Sequence, residues 1–119
     1  MNIEIQTAYQ LKELIDFAYH ENNEKQPWRS ELYYLSLFYD FSCLKVELNT
    51  NIYLDEIDFD ENENEEGYSS FVETNKLDLF CSGEIFISVI TSYKQKHQSL
   101  NYNSVLVALK YYLTNDNFM

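Results

Sequence analysis

The sequence predicts a small α+β domain, in which a short, mostly antiparallel sheet has helices packed on one side of it. Three observations lead to this fold class. The 119 residues fit one domain, which we place over the whole chain, residues 1–119. Apolar residues recur with helical spacing near both ends of the chain, and segments between them are aromatic-rich or alternate with a period of two.

The first predicted helix covers residues 7–21, with Thr7 as its N-cap. Its apolar residues are spaced i, i+3, i+4, i+7, which predicts one buried stripe: Leu11, Leu14, Ile15 and Ala18. Pro27 closes this element, because proline cannot continue a helix.

Strands are predicted next. Residues 31–39 are rich in aromatic and aliphatic side chains, and residues 42–48 alternate between two faces, so we expect an antiparallel hairpin through the link Asp40-Phe41. Residues 52–54 predict a short edge strand that precedes a strongly acidic stretch.

The second half of the chain predicts a short helix, a strand and two longer helices. Residues 68–75 read as the short helix, capped by its serines and ended by Asn75 in the left-handed conformation. A strand over 77–81 follows. The two longer helices are expected over 82–98, with Ser82 as cap, and 102–114, with Asn101 as cap. Their expected buried residues are Ile85, Phe86, Val89, Ile90, Tyr93, Val105, Leu106, Leu109, Tyr112 and Leu113.

The acidic stretch, residues 55–66, contains eight carboxylates in twelve positions and is expected to be a loop. The whole chain has 20 acidic against 8 basic residues, a net charge of −12. Such a charge disfavours binding to nucleic acid or anionic membranes, because phosphates are repelled. A basic protein is the complementary partner.

Nothing in the sequence indicates catalysis, so we expect no enzyme, no catalytic residues, no cofactor and no metal. His20 and His97 lie near predicted helix ends, where interaction with the helix dipole accounts for them. The only glycines are Gly67 and Gly83, too few for a phosphate-binding loop. Asp58, Asp60 and Asn62 begin like a calcium loop, but the sixth position is Glu63 and the twelfth is Ser69.

The N-terminus lacks the features of a signal peptide, and no window has the apolar length of a membrane span, so we expect a cytoplasmic protein without membrane contact. Cys43 and Cys81 both lie in apolar runs. We expect both to be reduced core residues.

The candidate binding residues follow from charge and aromatic content alone. The acidic candidates are Asp55, Glu56, Asp58, Asp60, Glu61 and Glu63, and the aromatic anchors are Tyr53, Phe59 and Tyr68. The alternative is that the acidic stretch only keeps the domain soluble while another face binds.

From Pro27 onward, the order PWRSELYYL, DEIDFDENENEE, FVETNKLDLF, EIFISVITSYKQKH and LVALKYYLTNDNF resembles small bacterial immunity proteins of contact-dependent growth inhibition and related toxin systems. The resemblance implies a non-enzymatic protein that binds and neutralises a cognate toxin domain. A nuclease toxin, such as an RNase or tRNase, has a basic cleft, and an acidic protein occludes it by charge complementarity.

Two other classes stay open. One is a phage or anti-restriction inhibitor that mimics nucleic acid and targets a DNA-binding enzyme. The other is a small enzyme that uses the carboxylate cluster with a metal. The sequence does not predict the identity of the toxin, whether inhibition covers its active site or an exosite, or the oligomeric state.

Overall fold

The computed structural model describes residues 3–21, 25–60 and 65–115, and the side chains at positions 28, 57–60 and 65–68 lie outside this description. The helices are α1 (Leu11–Glu21), α2 (Ser70–Thr74), α3 (Gly83–Lys96) and α4 (Tyr102–Asn115). The strands are β1 (Ala8–Gln10), β2 (Ser36–Asp40), β3 (Asn51–Asp55), β4 (Ile57–Asp60), β5 (Glu65–Tyr68) and β6 (Leu77–Ser82). Short 3₁₀ turns occupy Pro27–Arg29 and Glu31–Tyr34.

The main sheet has four strands in the order β1-β3-β2-β6, and each neighbouring pair is antiparallel. The strands β4 and β5 form a separate antiparallel pair. This arrangement, with four helices, confirms the predicted α+β fold and its antiparallel sheet.

One face of the sheet forms the main core with α1, α3 and α4. Alternation along the strands points Leu37, Ile52 and Leu54 into this core, and all three are fully buried. The predicted stripe of α1 is buried as expected, and so are Phe86, Val89, Ile90, Tyr93, Val105 and Leu109 in α3 and α4. Leu113 was expected in the core but is 38% exposed, in the last turn of α4.

The other face of the sheet is covered by α2. Phe38 is fully buried and directly opposite Tyr53, so the two share this face, and the Tyr53 ring contacts that of Phe71 at 5.8 Å between centroids. Val72 is buried here as well. The expectation that all helices lie on one side of the sheet is therefore wrong for α2. This helix has only five residues, too few for an apolar pattern in the sequence to indicate which face of the sheet it covers.

The N-terminal helix begins four residues later than expected. Ala8–Gln10 instead forms β1, paired with β3, and α1 begins at Leu11. Thr7 is not its cap: the first helical N–H groups of Leu11 and Lys12 donate to the carbonyls of Thr50 and Leu48, at 3.0 and 2.9 Å. Tertiary contact with a distant loop thus replaces a local cap.

The strand predicted over 42–48 and its hairpin are wrong. The Asp40 carboxylate accepts hydrogen bonds from the Ser42 N–H, at 2.9 Å, and from its hydroxyl, at 2.7 Å, which turns the chain directly after β2. The two edges of β2 are already occupied by β3 and β6, so residues 42–48 cannot pair with β2 as the expected hairpin requires. The strand predicted over 31–39 is confirmed only from Ser36.

The caps of the later helices are confirmed. Ser69, Ser82 and Asn101 accept hydrogen bonds from the N–H groups of Val72, Ile85 and Ser104, at 3.2, 3.2 and 3.0 Å. The left-handed residue after α2, expected at Asn75, is the next one: Asn75 has φ −88° and Lys76 has φ 52°.

Gly83 is required where α3 starts against the backbone of the preceding 3₁₀ turn. Its N–H donates to the Leu35 carbonyl at 2.6 Å, and a Cβ at this position would lie 1.6 Å from the Leu32 oxygen. Only glycine allows this approach.

Within the described ranges, no helix has the length and apolar character needed to cross a membrane.

Candidate binding surfaces

The acidic stretch forms a hairpin where a loop was expected. Strand β3 passes through Glu56 into β4, which pairs with β5 in the register Ile57↔Tyr68, Asp58↔Gly67, Phe59↔Glu66 and Asp60↔Glu65. In the part of the chain that the structure describes, β4 and β5 contact chiefly each other. The hairpin therefore forms a two-stranded element that is separate from the main sheet.

The register of this hairpin opposes like charges. Asp60 and Glu65 are direct cross-strand partners, and like charges in such positions destabilise a strand pair. The backbone pairing of β4 with β5 must therefore offset the repulsion between these two carboxylates. A cation near them would reduce this repulsion.

Asp55, the first acidic candidate, has a structural position. Its side chain is 3% exposed and accepts hydrogen bonds from the Ser69 hydroxyl at 2.5 Å, the Gln6 side-chain amide at 3.2 Å and the Glu56 N–H at 2.8 Å. Because Ser69 is also the N-cap of α2, Asp55 joins this helix to β3 and to the N-terminal turn. Its carboxylate is not available at the surface, and we leave it out of the proposed binding surface.

The other candidates differ in how far the structure places them. Glu56 is exposed at the base of the hairpin, and Tyr53 is half-buried against Phe71. Asp58, Phe59, Asp60 and Tyr68 have positions in the hairpin register, but their side chains lie outside the described structure, as do Glu61 and Glu63 entirely. The hairpin thus brings one group of candidates together along the chain, while Asp55 and Tyr53 belong to the body of the domain.

A second surface, on α4, was not predicted. We call it the α4 surface: two grooves that flank Val107, which is 55% exposed. One groove, of about 280 Å³, lies between α3 and α4 and includes Tyr93, Lys96 and Ala108. The other, of about 600 Å³, lies between α4 and the loop after β2 and includes Lys45 and Lys110. The sequence contained a signal for this surface. Between Val105 and Leu113, apolar residues occur on more faces of the helix than a single buried stripe needs, so some of them must be exposed.

Charge is strongly separated along the chain. Residues 46–75 contain no Lys or Arg, whereas residues 85–115 contain no Asp or Glu but include Lys94, Lys96 and Lys110. The α4 surface is accordingly bordered by lysines, and Glu47 is the one acidic residue among those that line its two grooves. The domain therefore has an acidic hairpin and a basic, apolar helix surface.

Shifted pKa values have local structural causes. Burial raises the pKa of the Cys81 thiol to about 12, and the Ser42 hydrogen bonds lower the pKa of Asp40. The hydrogen bond that the Tyr102 hydroxyl donates to Asp16, at 2.7 Å, raises the pKa of Tyr102. Cys81 is a buried core residue as expected, but Cys43 is only half-buried in the loop after β2, because the strand expected there does not form.

The histidines occupy structural positions at helix ends. His20 lies 3.4 Å from the Asp16 carboxylate in the last turn of α1, and His97 stacks on Tyr93 at the end of α3, with 4.2 Å between ring centroids. Within the described residues, no group of three or more His, Cys, Asp or Glu side chains is arranged to hold a metal ion.

Fold and surfaces together define a small antiparallel α+β domain with two oppositely charged surfaces. The chain belongs to the family described as domain of unknown function (DUF7716), whose model matches residues 11–119. No curated protein and no solved structure matches the chain.

Proposed function

We propose that this protein is a non-enzymatic immunity protein of the cytoplasm, which binds and neutralises a basic toxin domain. The hairpin formed by β4 and β5 is the contact surface, and the toxin is a nuclease of the RNase or tRNase type. The observation that carries the proposal is the hairpin itself: it is separate from the main sheet, contains most of the acidic stretch, and has one pair of like charges, Asp60 and Glu65, at directly opposed positions.

The mechanism has an electrostatic and a packing component. A nuclease cleft is basic because it must hold phosphates, so the hairpin carboxylates attract it and speed the encounter. Burial of aromatic residues at the contact then slows dissociation, since differences in affinity between related complexes reside mostly in the dissociation rate. Glu56 at the hairpin base, with Asp58, Asp60, Glu61 and Glu63 along it, are the proposed acidic contacts, and Phe59 and Tyr68 the anchors.

Tyr53 lies only at the edge of this proposed contact surface. Its ring is half-buried against Phe71 of α2, so its first role is to hold α2 on the sheet. Asp55 has the corresponding role for the N-terminus of α2. Both residues support the hairpin base from within.

The experiment begins with the product of the adjacent gene. If that product stops growth when expressed alone, co-expression of this protein should restore growth. The triple variant Asp58→Asn, Asp60→Asn, Glu61→Gln should lower the association rate with the purified toxin domain by roughly tenfold at low salt, with little change at high salt.

The matched control removes the same net charge elsewhere. Glu21→Gln, Glu31→Gln, Asp78→Asn alters three exposed acidic positions away from the hairpin, and this variant should bind almost as the parent does. If both triple variants behave alike, net charge and not the hairpin steers the encounter. If neither changes the rate or its salt dependence, the hairpin is not the contact surface.

A further inference from the structure

The α4 surface lacks a role in the proposed toxin contact, yet it combines features of a docking site. Val107 is 55% and Tyr111 40% exposed, one helical turn apart, and the two grooves that flank Val107 are largely apolar. Apolar side chains exposed together in this way mark interaction surfaces.

The charge of this surface identifies the chemistry of its partner. Lys96 borders one groove, Lys45 and Lys110 border the other, and residues 85–115 contribute no carboxylate. A matching partner therefore needs acidic groups interspersed with apolar ones. The sequence Glu56 to Asp60, EIDFD, has this composition, and it leads into and forms strand β4 of the hairpin, which is separate from the main sheet.

We infer that the α4 surface of one molecule docks the acidic hairpin of a second molecule of the same chain. The contact is heterologous, because hairpin and α4 surface are different surfaces, and each molecule supplies one of each. Since the same hairpin is the proposed toxin contact, self-association and toxin binding exclude one another. The inference itself needs no toxin and stands or fails separately from the proposed function.

Salt provides a signature for this contact. Each molecule has a net charge of −12, and the longest dimension of the domain is 43 Å. At 0.01 M salt the Debye length is ~30 Å, so the repulsion between two negatively charged molecules opposes association. At 0.15 M salt it is ~8 Å, so attraction between neighbouring lysine and carboxylate groups dominates. At 1 M salt it is ~3 Å, and this attraction is screened as well. Association should therefore be strongest at intermediate salt.

Sedimentation velocity of the purified protein alone provides the first test. Wild type should associate weakly, with Kd between roughly 10 µM and 1 mM, and most strongly near 0.15 M salt. A protein that stays monomeric at 1 mM throughout the salt range overturns the inference. Association that only increases with salt overturns it as well, because this is the behaviour of an apolar contact without complementary charges.

Two variants separate the surfaces. The groove variant, Lys96→Glu with Lys110→Glu, and the hairpin variant, Asp58→Asn, Asp60→Asn, Glu61→Gln, should each weaken self-association at least about tenfold. The control for the groove variant, Arg29→Glu with Lys76→Glu, makes the same change in net charge at exposed positions elsewhere and should behave as wild type. Circular dichroism and thermal melting establish that each variant is folded.

Mixing the two variants gives the decisive result. The groove variant retains a normal hairpin and the hairpin variant a normal α4 surface, so the mixture should form a 1:1 heterodimer that neither variant forms alone and that cannot extend further. Failure of the mixture to associate overturns the inference. Undiminished association of the hairpin variant by itself does so too, because two α4 surfaces would then be in contact with each other.

Discussion

The buried carboxylate of Asp55 gives the sharpest test of how this domain is held together. Asp55→Ala removes hydrogen bonds to the Ser69 hydroxyl, the Gln6 amide and the Glu56 N–H, at 2.5, 3.2 and 2.8 Å. A hydrogen bond to a charged group contributes about 1.5–3 kcal/mol, and donors left buried without a partner cost about 1–3 kcal/mol. Water that enters the vacated space forms hydrogen bonds with some of these donors and so reduces the free-energy cost. We therefore expect a loss of about 3 kcal/mol in the free energy of unfolding.

The measurement is urea unfolding followed by circular dichroism, with thermal melting in parallel. For a domain of this size, the expected loss lowers the melting temperature by roughly 10 °C. The adjacent, exposed Glu56 supplies the matched control, because Glu56→Gln removes one charge without a buried contact and should change stability by less than about 0.5 kcal/mol. Asp55→Asn, which keeps one acceptor oxygen, should lie between the two.

A double-mutant cycle with Ser69→Ala identifies the connection to α2. If the Ser69 hydroxyl stabilises the domain partly through Asp55, the two substitutions together should cost at least about 1 kcal/mol less than the sum of their separate effects. A loss of less than about 1 kcal/mol for Asp55→Ala, or strictly additive effects, would refute the structural role assigned to this carboxylate.

Three further outcomes are expected. Gly83→Ala should destabilise the domain by about 3 kcal/mol or more in urea unfolding, because its Cβ would lie 1.6 Å from the Leu32 backbone oxygen, whereas a retained melting temperature would contradict this packing. Phe38→Ala should cost about 3–5 kcal/mol while Leu44→Ala, at a fully exposed position, stays within about 0.5 kcal/mol, and equal effects would contradict the assigned burial. The raised pKa of Cys81 means that the folded state holds the thiol proton more tightly than the unfolded state does. The stabilisation of the folded state by this protonated thiol is therefore complete below pH 9.0 and is lost as the pH rises to about 12. Cys81→Ala should make the free energy of unfolding decline less steeply between these two pH values.

Local sequence signals predicted the helices well because the physical causes are themselves local. The stripe of α1, from Leu11 to Ala18, follows from helix geometry alone. The caps Ser82 and Asn101 act within three residues of their own position. Each of these predictions depends on neighbours in the chain and required no knowledge of the fold.

The failed predictions concern contacts between distant residues. The alternation over 42–48 is that of a strand, but Asp40 turns the chain and both edges of β2 are taken. Ala8–Gln10 is a strand only because β3 lies beside it. The acidic stretch pairs as a hairpin despite its charge, which composition alone does not indicate.

The sequence by itself determined the α+β class, the caps of α2, α3 and α4, and the concentration of negative charge, because propensity, periodicity and charge are properties of the chain. The tertiary structure alone decided that Asp55 is buried while Glu56 is exposed, since burial depends on what packs against a residue. It also decided that Val107 lies between two grooves at the surface while Val105 and Leu109 fill the core. Neighbouring residues of the same chemical type thus receive different roles, because which of them faces the core is set by elements far away in the sequence.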